Sequence, residues 1–257
     1  MTISKRSWQR YIDALRKIDE TAAEKMDSYI QEFGLPQSQE DLESFLYAAW
    51  SISDTYGQAA ATLAAEMYDY TAQLQGAQVP DAEPAPTATY QETAKAVQGA
   101  LKSGNAEIVS STVRRLTRQA GADTVLQNAL RDGAQFAWIP SGDSCAFCIT
   151  LSSRGWQYAS KNAIKNGHAE HIHANCDCAY AVRFDGKSQV QGYDPDTYLA
   201  LYNGADPGGT PNDKINAMRR DFYAENKDRI NEQKRAAYQK RKERNAPAAE
   251  ELDVGEP

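Results

Sequence analysis

Apolar residues recur at three- and four-residue steps from about residue 5 to 33, at Trp8, Tyr11, Ile12, Leu15, Ile18, Ala22, Met26, Tyr29 and Ile30. This period predicts an amphipathic helix, stopped near Phe33-Gly34-Leu35-Pro36. Ser38 and Asp41 open a second helix whose stripe runs Leu42, Phe45, Leu46, Ala49, Ile52, Tyr56, Leu63, Met67, Tyr70 and Leu74, with Gly57 a candidate soft point. Together residues 1–75 read as a long helical hairpin, and the ordinary role of its aromatic stripe is packing. Residues 76–88, GAQVPDAEPAPTA, hold three prolines among small residues and read as an internal linker. Thr89 with Glu92 forms a capping box that starts a helix through about Leu101. From Asn105 to Asp132 the helical period continues, with an expected break at Gly121, so 89–133 is a helical segment.

The period changes after Gly133. Residues 134–186 hold Trp138, Pro140, Gly155-Trp156, every cysteine and every histidine of the chain, and a strand-like run from Ala179 to Phe184. Length and pattern predict a compact α+β module here. Residues 187–245 form a C-terminal helical extension. After the Gly/Pro-rich loop Gly204–Pro211 it becomes a charged helix from about Asp213 to Arg244. Residues 246–257 form an acidic tail expected to be disordered. The fold class is thus mostly α, with a small α+β module between helical arms.

Composition narrows the partners. Charged residues make up 25% of the 257 and the formal net charge is -7, which argues against a chain that coats nucleic acid along its length. A basic run survives locally: Lys234, Arg235, Lys240, Arg241, Lys242 and Arg244 are opposed by Glu243 alone. It could touch phosphates without reading sequence, although most such runs are solvated helix faces. No apolar stretch reaches a membrane span or a signal core, so the expected setting is a cytosol with no membrane partner.

The chemistry lies in the cysteines. All 4 fall within residues 145–178. In a reducing compartment such clustering points to metal or redox chemistry. Cys145-Ala146-Phe147-Cys148 lets two thiolates face one ion from a tight turn, the commonest half of a zinc site. About 25 residues on, His173-Ala174-Asn175-Cys176-Asp177-Cys178 offers three more donors, making five candidates for four tetrahedral places. Neighbours in a Cys-x-Cys pair rarely both reach one ion without strain. Cys145, Cys148 and His173 therefore rank first, completed by Cys176 or Cys178. An all-cysteine site with His173 outside is the alternative. Four buried thiols or a CxxC redox pair explain the cluster less fully, since the latter leaves Cys176 and Cys178 without a role.

A catalytic metal is the competing use. His168-Ala169-Glu170 with Cys145xxCys148 imitates the two halves of a zinc deaminase, but in reversed order. A nuclease using His168 or His171 has no companion acidic constellation for a second metal. The module is small and poor in aliphatics, so a closed Zn2+ site that fixes its fold is the simpler expectation. A generic helical adaptor with a zinc knob fits the same residues.

Trp138, Cys145xxCys148, Arg154-Gly155, Tyr158 and His173-x-Asn175-Cys176-Asp177-Cys178 together resemble the MuF-like minor head, or head morphogenesis, proteins of tailed bacteriophages. The motif covers residues 134–186, with Ala174 where family members commonly have proline. The resemblance implies a non-enzymatic minor capsid component that joins the portal protein, capsid or scaffold during head assembly. It would be made in the host cytoplasm and reside at the portal vertex or capsid interior. The protease and toxin modules fused to some relatives have no counterpart residues here.

Overall fold

The structure is a computed structural model that describes residues 2–141, 145–160, 164–165, 168–169 and 177–244. The chain divides into two compact units, Met1–Tyr202 and a second beginning at Asn203.

In the first unit, helix α1 (Lys5–Phe33) is capped by Ser4, whose hydroxyl accepts the Ser7 N–H. It buries Trp8, Tyr11, Ile12, Leu15, Ala22, Met26 and Ile30, largely the stripe its period predicts. Helix α2 (Gln39–Gln75) starts at a Ser38–Asp41 capping box and ends on left-handed Gly76. Helix α3 (Tyr90–Leu101) starts at the Thr89–Glu92 box. Helix α4 (Ala106–Asp132) runs from the Asn105 cap to left-handed Gly133. α4 is central: α1, α2, α3 and most of the strands that follow pack on it.

Two glycines behave differently from the sequence reading. Neither α2 nor α4 breaks. At Gly121 a Cβ would sit 3.2 Å from the Ala60 carbonyl oxygen and 3.5 Å from Leu15 Cδ1. At Gly57 it would meet Thr87 Cγ2 at 2.9 Å. Both glycines are sites of close approach between elements. The same cause shifts the buried face of α2. Beyond Ser53 it buries Gly57, Ala60, Ala61, Ala64, Ala65, Tyr68, Thr71 and Ala72. The larger Ile52, Tyr56, Leu63, Met67 and Leu74 are only partly covered, and Tyr70 is exposed. Small side chains let α2 lie close against α4. Gly121→Val is accordingly expected to cost about 1–3 kcal/mol by overpacking. A drop in thermal midpoint relative to Gly121→Ala checks it.

Residues 77–89 carry no helix or strand, yet they are a strap pinned along the bundle. The Ala82, Glu83 and Ala85 amides donate to Asp69, Asn128 and Thr124 at 2.8, 3.0 and 2.9 Å. Asn128 donates back to the Glu83 carbonyl, and Arg131 donates to those of Pro80 and Asp81. Thr87 donates to Asp54. The prolines deny this stretch a helix, while polar side chains of α2 and α4, Thr124 and Asn128 among them buried, satisfy its backbone.

The α+β module begins with β1 (Gln135–Ile139). It continues through α5 (Ala146–Ser152), β2 (Gln157–Tyr158), β3 (Ile164–Lys165) and β4 (His168–Ala169) to β5 (Ala179–Arg183). β1 lies between β2 and β5, antiparallel to both, with Trp138 opposite Tyr180 and Ile139 opposite Ala179. β3 and β4 form a separate antiparallel pair. Strand alternation sends Ala137, Ile139, Ala179 and Ala181 into a cluster with Trp8, Tyr11 and Ile12. Trp138, Tyr180 and Val182 join Tyr68, Leu126, Cys148, Leu151 and Cys178 on the other face. With both faces buried, the strands lack a polar-out alternation.

Ile3 pairs with Val190, its N–H donating to the Gln189 carbonyl at 2.9 Å. Helix α6 (Pro195–Ala205) follows, its first turn capped by Asp194. In the second unit, helix α7 (Pro211–Arg244) opens with Thr210 and Asp213 bonded to each other's backbone and side chain. Among the described residues no helix is long and apolar enough to cross a membrane.

Candidate metal centre

The two residues of the CxxC motif meet as their spacing predicts. Cys145 is the N-cap of α5 and Cys148 lies one turn in, which brings their sulfurs to 3.6 Å. Two thiolates on one tetrahedral zinc, each about 2.3 Å from the ion, stand roughly 3.8 Å apart. A disulfide would hold them at about 2.05 Å. The observed 3.6 Å is that of two thiols in hydrogen-bond contact, and it is close enough for both to face one ion. Its support is stiff: Cys148 is fully buried, and the Ser152 hydroxyl donates to the Cys148 carbonyl at 2.7 Å and to that of Trp138 at 3.0 Å. The first lies within α5 and the second ties the end of α5 to β1.

Cys178, 3% exposed, immediately precedes β5 and joins the same apolar cluster as Cys148. Among the described residues no three histidine, cysteine, aspartate or glutamate side chains gather closely enough to hold an ion. His173 and Cys176 lie outside the described residues, as do Glu170 and His171. His168 is described only as a backbone position of β4.

The residue between the last two cysteines carries a role that spacing alone did not reveal. Asp177 accepts from Arg16 Nε at 2.8 Å, Arg118 Nη1 at 3.1 Å and Arg114 Nη2 at 3.3 Å. The same two α4 arginines grip Asp19 of α1, Arg114 Nε at 2.8 Å and Arg118 Nη1 at 3.1 Å. Arg118 is 2% exposed and Asp19 0%. Three guanidinium groups and two carboxylates thus tie α1 and α4 to the entry of β5, with Asp19 and Arg118 buried and Arg16 and Asp177 partly exposed.

The two carboxylates titrate in opposite senses. Burial pushes Asp19 up to about 6, against the pull of Arg118 and Arg114. Partial burial also works to raise Asp177, but hydrogen bonds and charge from Arg118 and Arg16 hold it below the ordinary range. A carboxyl raised in the folded state favours folding fully below its unfolded pKa, and that contribution fades as pH rises through about 6. Asp19→Asn removes this dependence. The stability of the variant relative to wild type should therefore improve from pH 4 to pH 6.5, by up to about 3 kcal/mol. Urea midpoints across that range measure it.

One signal in the sequence could have exposed this network. Asp19 stands on the apolar stripe of α1, four residues after Leu15, and Arg118 lies among the apolar positions of α4. An ionised group on a buried stripe requires a partner.

The architecture is that of a mostly helical protein carrying a small cysteine-bearing α+β module on its central helix. Residues 2–205 match the VG15 protein family. The chain belongs to that family, a viral-gene family of phage proteins. No curated protein and no solved structure matches it.

Proposed function

We propose that the chain is a minor head component of a tailed phage, acting in head morphogenesis at the portal or inner capsid, with a structural zinc in the cysteine module. The observation that carries the zinc reading is the 3.6 Å separation of the Cys145 and Cys148 sulfurs on a stiff turn. Cys145 and Cys148 would hold Zn2+ with two of His173, Cys176 and Cys178. When bound, the ion cross-links α5 to the loop before β5 and needs no open position for chemistry. Asp177, gripped by Arg16, Arg114 and Arg118, anchors the entry to β5 whatever the ion does.

The head role rests on the MuF-like motif of residues 134–186 and on membership of a phage family that spans both the helical body and the module. On this reading the protein is not an enzyme. Its partners are portal, capsid or scaffold subunits, and its place is the virion after assembly in the host.

Quantitative mass spectrometry of purified virions tests the role. A few copies per particle, and heads that fail to mature when Cys145 and Cys148 are both serine, are the expected results. A protein absent from virions, or a nuclease activity lost with the same cysteines, would contradict it.

A further inference from the structure

Charge is distributed along this chain with a marked asymmetry. Residues 26–94 contain no lysine, arginine or histidine but eleven aspartates and glutamates, more negative charge than the whole chain carries net. The segment covers the end of α1, all of α2, the strap and the start of α3. Where the strap crosses α2, the surface holds an open groove of about 620 Å³, lined by Trp50, Asp54, Gln58, Pro84, Pro86 and Tyr90 among others. An aromatic row lies beside it: Tyr47 and Trp50 have centroids 5.5 Å apart, Trp50 and Tyr90 6.1 Å. Tyr47 is 61% exposed, and Glu40 and Glu43 on the same helix are exposed as well. Arg131 lies at the far end of the strap, but no cation is among the groove's lining residues. Aromatic faces with carboxylates so arranged form a surface suited to guanidinium and ammonium groups.

The chain carries one element of complementary chemistry. α7 holds eleven lysines and arginines against six acids, with six of the cations and one acid after Glu232. Arg235 and Tyr238 are exposed one turn apart. At 34 residues α7 is about 51 Å long and the 37 residues of α2 about 55 Å, so one can lie along the other.

We propose that the acidic aromatic face of α2 and the strap is a docking surface for a basic helix, and that its occupant is α7 of a second copy of this chain. Arginines of the incoming helix stack on Trp50 and Tyr90 while Glu40 and Glu43 meet its other cations. Exchange of this kind pairs unlike surfaces and closes when each copy gives and receives one helix.

Sedimentation velocity of the full-length chain tests it at about 0.1 M and about 1 M NaCl, where the screening length falls from about 10 Å to about 3 Å. Self-association at the lower salt, lost at the higher, is expected. Glu40→Lys with Glu43→Lys should weaken it about tenfold, as should Arg235→Glu with Arg241→Glu. Mixing the two charge-reversed proteins should restore a complex of one of each. These sites avoid the capping boxes, and circular dichroism verifies that each variant folds. Three results would overturn the proposal: a monomer at every concentration, association indifferent to the α2 substitutions, or an α7 that retains duplex DNA while the chain stays monomeric.

Discussion

Replacing Arg118 by methionine is expected to lower stability by about 3–5 kcal/mol, the usual cost of removing one partner from a buried charge cluster. Arg118 is 2% exposed and bridges Asp19 and Asp177 with a single nitrogen, 3.1 Å from each. Methionine fills much of the space but leaves Asp19, wholly buried, with Arg114 as its remaining cation among the described residues. A second substitution separates charge from packing. Asp19→Asn in the Arg118→Met background removes the stranded carboxylate, so the double variant should recover part of the loss. The coupling should exceed about 1 kcal/mol, as for groups in direct contact. Urea unfolding of the four proteins gives the cycle. If Arg118→Met costs less than surface substitutions do, the network is not the tie between α1, α4 and the entry of β5.

The other large effect follows from losing the thiol pair. With Cys145 and Cys148 both serine, zinc content should fall from about one equivalent to under a tenth, and the module should lose much of the order that metal supplies. Structural zinc contributes on the order of 10 kcal/mol in isolated peptides. Here part of the module is held independently. β1 and β5 are buried on both faces against α1 and α4, and Asp177 is anchored by three arginines. The expected outcome is therefore local. Proteolysis should open the chain between Pro140 and Asp177 while α1–α4 persist in circular dichroism. Global unfolding would mean that the helices depend on the metal, and unchanged protection would mean that the metal holds nothing.

These effects show which parts of the molecule local patterning can reveal. Helix ends were legible because capping chemistry is local: Ser38 with Asp41, Thr89 with Glu92, and glycines at 34, 76 and 133 each act within four residues. Strand β5 (Ala179–Arg183) was legible from its β-branched and aromatic run. The CxxC pair was legible because a three-residue spacing on a turn nearly fixes the distance between sulfurs.

Tertiary contact decided the rest. Gly57 and Gly121 read as weak points in isolation and serve as points of close approach, a property of the neighbouring element and not of the helix itself. The strap at 77–89 has a linker's composition, but its amides find partners at Asp69, Thr124 and Asn128, far away in sequence. α2 showed a large-residue stripe, yet it buries its alanine face because nearness to α4 outweighs side-chain size at that contact. Asp177 looked like a spacer since its three arginines come from α1 and α4. Of the five candidate ligands, Cys145 and Cys148 meet, Cys178 shares their apolar cluster, and His173 and Cys176 lie outside the described residues.

The most direct test of the zinc staple is metal analysis of the purified chain combined with zinc-edge X-ray absorption. The account predicts one zinc per chain, its nearest ligands mainly sulfur at about 2.3 Å with at most one imidazole nitrogen at about 2.0–2.1 Å. Less than half an equivalent with the thiols reduced, or a shell of oxygen and nitrogen alone, would contradict it.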